Sequence, residues 1–382
     1  MNVFDLEGGT LYMYLRPERK GNPVLRWSLI VAIIVTATGL YLVKQKPELV
    51  GQEATPQVVE TAEEHLRSGD AFFAQGEIDE ALAEYERATE IDPESATAYA
   101  RLGKLLAIRR RYPEAVEKIK KAVQLDPGDA EGYALLAMAL DWNGEYDEAI
   151  QAALRAIEID PGYGEAYAYL AAAYADKDRY DEALENAQIA VQLDDGNYAV
   201  HFIFGCVLER MGNYRQAIAE YKRATELAPH LGYLFIRLGK NFWALGNYEQ
   251  AIVQLQKAVG VDPKDPEGYD FLGFLYLGQG DYERALVLFQ RAIEVDPQFA
   301  NAYGHLGLTY YVQRKYEDAI QNFERAIELG AQSAEYYYEL GWSHVFFDEC
   351  EKAIPYFDAA VRLDPNAQAA WEGLDYCEKK EE

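Results

Sequence analysis

From residue 62 onward, apolar residues recur three or four positions apart, the spacing of one helix face, and the pattern starts afresh every 34 residues. Rows of that length beginning at Ala62 align without insertion or deletion and reach Ala367 after nine units. In the seventh row Tyr269, Leu272 and Tyr276 mark one amphipathic helix and Leu286, Phe289 and Ile293 a second, so each row predicts two helices. The eighth position is always small: Gly69, Gly103, Ala137, Ala171, Gly205, Gly239, Gly273, Gly307 and Gly341. The twentieth and twenty-seventh are Ala in every row, as at Ala285 and Ala292. Small residues at fixed places let two helix backbones approach closely.

Breaks in the pattern separate the helices. Gly76, Gly144, Gly212, Gly246 and Gly280 fall just past the first helix, where a left-handed cap favours glycine. Arg110, Asp178, Arg314 and Asp348 occupy the same place in other rows, at a modest cost if that conformation persists. Pro93, Pro127, Pro161, Pro229, Pro263, Pro297 and Pro365 stop the second helix. Asp194-Asp195 and Gly330-Ala331 stand in for the proline elsewhere, and those junctions are expected to be more deformable. Pro355 is expected to displace the start of the last second helix.

The pattern closely resembles the tetratricopeptide repeat, down to runs such as GQGDYERALVLFQRAIEVDP from Gly278 to Pro297. The resemblance implies an all-α fold, a right-handed superhelical solenoid of helix-turn-helix repeats over 62–367, with the first helix of each hairpin lining the concave side. Residues 368–382, with Trp371 and Leu374 at helical spacing before KKEE, read as a capping helix and charged tail.

Before the repeats, Trp27 to Val43 reads WSLIVAIIVTATGLYLV, an uncharged run spanning roughly 26 Å as a helix. Arg26 and Lys44 can snorkel to the interfaces, and Trp27 and Tyr41 sit where aromatic belts form. The expected order is a cytoplasmic tail over 1–24, a transmembrane helix over 25–43 preceding the solenoid, and a flexible linker over 44–61. Arg16, Arg19, Lys20 and Arg26 precede the run and only Lys44 and Lys46 closely follow it, which points to a single-pass protein with a cytoplasmic N-terminus and an extracytoplasmic array. A cleavable signal peptide, cut near Thr36 to Gly39, is the competing reading.

The formal net charge of −28 lies from Ala62 onward, since the residues before it balance to zero. Such a surface repels phosphate backbones and argues against nucleic-acid binding, while leaving a basic partner open. Cys206, Cys350 and Cys377 are too few and scattered for a disulfide framework or metal site. Cys350 fills a slot that is Tyr in seven of the other eight rows, which suggests a small buried side chain; a Cys350–Cys377 bridge is the minor alternative. The five histidines fall in different repeats without ligand-like pairing, and no catalytic or phosphate-binding motif is present. No enzyme activity, cofactor or metal is therefore expected.

If the family geometry carries over, the second, fifth, ninth, twelfth and thirteenth positions of each row face the groove. In the third and fourth repeats these are mostly small or acidic, including Ala134, Asp141, Ala168, Ala172 and Asp176, with Met138 and Trp142 as exceptions. From the fifth repeat on they are aromatic, and Phe202, Tyr233, Trp243, Phe274, Tyr311, Tyr338, Trp342 and Phe346 are the candidate protein-binding residues. The Lys/Asn clamp of relatives that grip chaperone carboxylates is missing, with Lys104 and Lys240 isolated. The expectation is a membrane-anchored scaffold that recruits or assembles proteins, or peptides with apolar or aromatic segments, through the concave groove between the fifth and ninth repeats. The alternative is a structural subunit that stabilises a larger membrane or extracellular assembly without a discrete peptide site.

Overall fold

The computed structural model describes residues 60–381, which form nineteen α-helices and no strand. In chain order the hairpins are α1–α2 (Ala62–Gln75, Ile78–Ile91), α3–α4 (Ala96–Ile108, Tyr112–Leu125), α5–α6 (Ala130–Trp142, Tyr146–Ile159), α7–α8 (Gly164–Asp176, Tyr180–Leu193) and α9–α10 (Tyr198–Arg210, Tyr214–Leu227). There follow α11–α12 (Gly232–Ala244, Tyr248–Val261), α13–α14 (Pro266–Gly278, Tyr282–Val295), α15–α16 (Ala300–Val312, Tyr316–Glu328), α17–α18 (Ala334–Val345, Cys350–Leu363) and the single helix α19 (Gln368–Glu381).

Side chains open several first helices. Thr61 and Glu64 form a reciprocal capping box at α1, and Ser95, Asp129, Asn197 and Asp265 accept backbone N–H bonds at α3, α5, α9 and α13. The turn into each second helix is instead set by a left-handed residue. Gly76, Gly144, Gly212, Gly246 and Gly280 adopt it, and so do Arg110, Asp178, Arg314 and Asp348 at φ 58–63°. The cap conformation therefore persists without glycine. Pro355 lies inside α18, which still starts at Cys350, the counterpart of the tyrosines that open its siblings, so the proline does not displace the helix start.

Packing within a hairpin explains the small eighth position. A Cβ on Gly205, Gly273, Gly307 or Gly341 would meet the ring of Tyr221, Phe289, Phe323 or Phe357 at 2.6–2.7 Å. Those rings come from the second helix of the same hairpin and are fully buried. In the third and fourth hairpins the eighth residue is alanine, and the facing residue shrinks to Ala153 or Ala187. Volume is conserved across the contact, as close packing demands.

The small residues of the early groove have a second effect. Buried Ala134, Ala168 and Ala172 let α3, α5, α7 and α9 pack directly on one another, whereas successive first helices from α9 onward touch far less. Drawing the inner helices together while successive second helices stay apart wedges the array into a tight curve. The turns after α1 and α3 thereby meet the connections α10–α11 and α12–α13. Phe73 meets His230 edge-on at 6.0 Å, and a Cβ on Gly76 would stand 2.5 Å from the His230 carbonyl oxygen.

The expected membrane placement is corrected. Among the described residues no helix is long and apolar enough to cross a membrane, and the longest have 14 residues where a span needs about 20. A single-pass protein with an extracytoplasmic array is thus not what these helices form. The expected tail 1–24 and transmembrane segment 25–43 lie outside the described residues, as does the linker up to residue 59.

The cysteines are also reassigned. Cys350 and Cys377 form a disulfide with Cα atoms 5.4 Å apart, joining α18 to α19, because the curve of the last hairpin brings α19 alongside the Cys350 position. Cys206 is free, half-buried beside Tyr221.

Candidate functional site

The inner face of the array carries two unlike regions. The first is a chamber of about 250 Å³ between the third to sixth repeats and the turn of the second. Phe202 and Tyr233 line it, Phe202 only 6% exposed and edge-on to Tyr233 at 5.2 Å. Opposite stand Asp141 and Trp142 at the end of α5 and Asp176 at the end of α7. The acidic and aromatic halves of the groove, read as separate in the sequence, thus share one cavity.

Ion pairs border the chamber. Arg109 donates to Asp262 at 2.5 Å and to Asp79 at 2.9 Å, and Arg110 donates to Asp265 at 3.0 Å and pairs with Glu267. Lys240 also pairs with Glu267, and Lys264 reaches Glu80 at 2.9 Å. Burial would raise the Glu267 carboxyl, but the charges of Arg110 and Lys240 beside it outweigh that and hold it at about 2. The clasp joins residues 153–184 positions apart in the chain. Sequence reading missed it; the available signal was the run Arg109-Arg110-Arg111, with arginine kept at a left-handed turn that usually takes glycine.

Inside, most charges have partners. Arg210 pairs with Asp176, and Arg237 lies 3.4 Å from Glu209, which also accepts from Tyr221 at 2.7 Å and from Asn241 at 2.6 Å. Asp141 differs: it is 4% exposed and its Oδ1 has no hydrogen-bond partner. Burial pushes its carboxyl up to about 8, neighbouring Asp176 adds to the shift, and Arg210 opposes it.

The second region runs from the sixth repeat to the ninth. Trp243 is 39% exposed and meets Phe271 and half-buried Phe274 edge-on at 5.6 and 5.9 Å. Phe346, 56% exposed at the end of α17, stacks on Tyr316 at 3.9 Å, and Tyr316 meets half-buried Tyr311 edge-on. Tyr338 is half-buried against the last hydrophobic cluster. Trp342 serves the fold: its Nε1–H donates to the Ala369 carbonyl at 3.0 Å and its ring lies between Phe357 and Tyr376. The candidate rings therefore divide, with Phe202 and Tyr233 in the chamber, Trp342 under α19, and Trp243 and Phe346 reaching solvent.

Comparison with known families matches most of the array. A family model described as TPR repeat matches residues 69–107 and 239–280. Others described as tetratricopeptide repeat match 106–173, 272–334, and both 198–231 and 334–367. No curated protein matches the chain. Among solved structures, it is similar to a chain of the APC/C hetero-tetramer Cut9–Hcn1, at 19% identity and TM-score 0.66, covering 82% of this chain and 62% of that one. A structure of Pseudomonas aeruginosa pilF is similar over 56% of this chain and 97% of that one, at 18% identity and TM-score 0.50. At such identities the likeness shows the fold alone.

Proposed function

The chain belongs to the tetratricopeptide repeat family, and on that premise we propose that it is a protein-interaction scaffold that holds partner proteins along the inner face of its array, between the fifth and ninth repeats. One observation carries the reading. Trp243 and Phe346 stand on or at the end of first helices with 39% and 56% of their surface in solvent, and the same repeat positions carry small residues elsewhere, as at Ala175 and Ala244. Exposed aromatic side chains on a rigid curved surface are the usual energetic centres of such contacts. A partner segment bearing apolar or aromatic side chains fits them.

A structural subunit with contacts spread over its outer surface is the second reading, supported by exposed Leu154, Val253 and Val287 on second helices. Photo-crosslinking in cells from sites beside Trp243 and Phe346 separates the two. The scaffold reading expects adducts from those sites, reduced several-fold in the double variant Trp243→Ala, Phe346→Ala, whose melting temperature stays near that of the parent. Undiminished adducts in that variant would sink it. Adducts of fixed stoichiometry confined to sites beside Leu154, Val253 and Val287 would favour the structural subunit.

A further inference from the structure

Asp141 is a carboxylate in a place that folding alone disfavours. It is buried, it sits in the last turn of α5 where the helix dipole opposes negative charge, and it faces a second carboxylate, Asp176. Every other charge bordering the chamber has an opposite partner: Arg110 has Asp265 and Glu267, Arg237 has Glu209, and Asp176 has Arg210. Asp141 Oδ1 has none. The arginines are thus already neutralised, and the acid left without an opposite charge is Asp141, which holds a proton on its own and would yield it in favour of a bound cation that donates hydrogen bonds.

The walls agree with that requirement. Trp142, adjacent to Asp141, lines the cavity, and Tyr112 meets it edge-on at 6.3 Å. Phe202 and Tyr233 face them. An indole beside a carboxylate attracts an organic cation through its ring face as well as through the charge. At about 250 Å³ the chamber is smaller than the roughly 300–1,000 Å³ of pockets for drug-sized ligands, and it suits one side chain. The strongly acidic array around it draws basic partners.

We propose that the chamber bordered by the Arg109–Asp262 and Arg110–Glu267 contacts is a specificity pocket for one basic side chain, arginine or lysine, of a partner segment, with Asp141 accepting its hydrogen bond and Trp142 covering its charge. This rests on the scaffold reading and adds the chemistry of the bound residue.

The test uses the full chain and short capped peptides. Acetyl-Gly-Arg-Gly-amide should bind saturably, read by calorimetry and tryptophan fluorescence, and its citrulline counterpart, which has the same shape without the charge, should bind about tenfold more weakly or worse. Asp141→Asn should cause a similar loss for the arginine peptide while still unfolding cooperatively at a temperature no lower than the parent's. The citrulline comparison needs no variant, so a misfolded mutant cannot blur the result. Three outcomes would overturn the proposal: no saturable binding of the arginine or lysine peptide, equal binding of the citrulline peptide, or preference for an acidic peptide. Binding of free agmatine with no binding of the arginine peptide would equally defeat a partner side chain as the ligand. Failure here leaves the crosslinking from Trp243 and Phe346 untouched, whereas absence of adducts in the parent, or undiminished adducts in the double variant, would defeat the scaffold reading whatever the peptides do, so the two failures can be told apart.

Discussion

Arg109 and Asp262, 153 residues apart, meet in an ion pair of 2.5 Å that ties the turn of the second repeat to the connection between the sixth and seventh. With Arg110, Lys264, Glu267 and Asp79 it joins the second repeat to the seventh along one side of a chamber that stays partly open. Residues of the second to the seventh repeats then share one cavity.

The clasp should yield to its own variants. Arg109→Ala with Arg110→Ala removes both guanidinium contacts and strands Asp262 and Asp265, so the array should open, with a larger radius of gyration in X-ray scattering and unchanged helix content by circular dichroism. Salt should act in the same direction but more weakly, because exposed Lys264–Glu80 is screened while the partly buried Arg109 pair is not. An unchanged scattering profile in the double variant would show that backbone curvature alone forms the chamber.

Asp141 makes a pH prediction of definite sign. Its folded carboxyl titrates near 8 and the unfolded one near 3.8, so between these values the folded chain holds a proton that the unfolded chain has lost. The contribution of this group to stability therefore falls as pH rises from about 4 to 8 and levels off above. Asp141→Asn removes the dependence. Its melting temperature should gain on that of the parent between pH 5 and pH 8, and a constant difference over that range would contradict the assignment.

Gly273→Ala should destabilise the array by about 1–3 kcal/mol, because the new methyl would stand 2.7 Å from the buried Phe289 ring. Ala137→Gly, in a hairpin whose facing residue is Ala153, has no such clash to relieve and should cost only about 0.5–1 kcal/mol through helix propensity. Since long arrays unfold in parts, proteolysis of the affected hairpin is a sharper measure than a global melt.

Reduction of Cys350–Cys377 should loosen α19 before the rest of the array. The bond closes a loop of 27 residues, worth about 3–4 kcal/mol in chain-entropy terms. Hydrogen exchange under reductant, or in Cys377→Ser, should rise in α19 and around Trp342, which donates its N–H to that helix, and stay level in the hairpins before α17. Uniform exchange along the chain would argue against a local tie.

The 34-residue period, the two helices per repeat and the left-handed turns at Arg110, Asp178, Arg314 and Asp348 could all be read along the chain, because each depends on residues within about one repeat of one another. The pairing of a small eighth residue with a ring from its own hairpin was readable for the same reason. The chamber was not. Whether Arg109 meets Asp262 depends on the sum of small rotations between successive hairpins, set by how closely α3, α5, α7 and α9 approach over Ala134, Ala168 and Ala172. Sequence alone therefore determined the repeat and its two helices. Only the accumulated curvature decided that acidic Asp141 and aromatic Phe202 would face one space, that Trp342 would be occupied by α19, and that Cys350 would find Cys377.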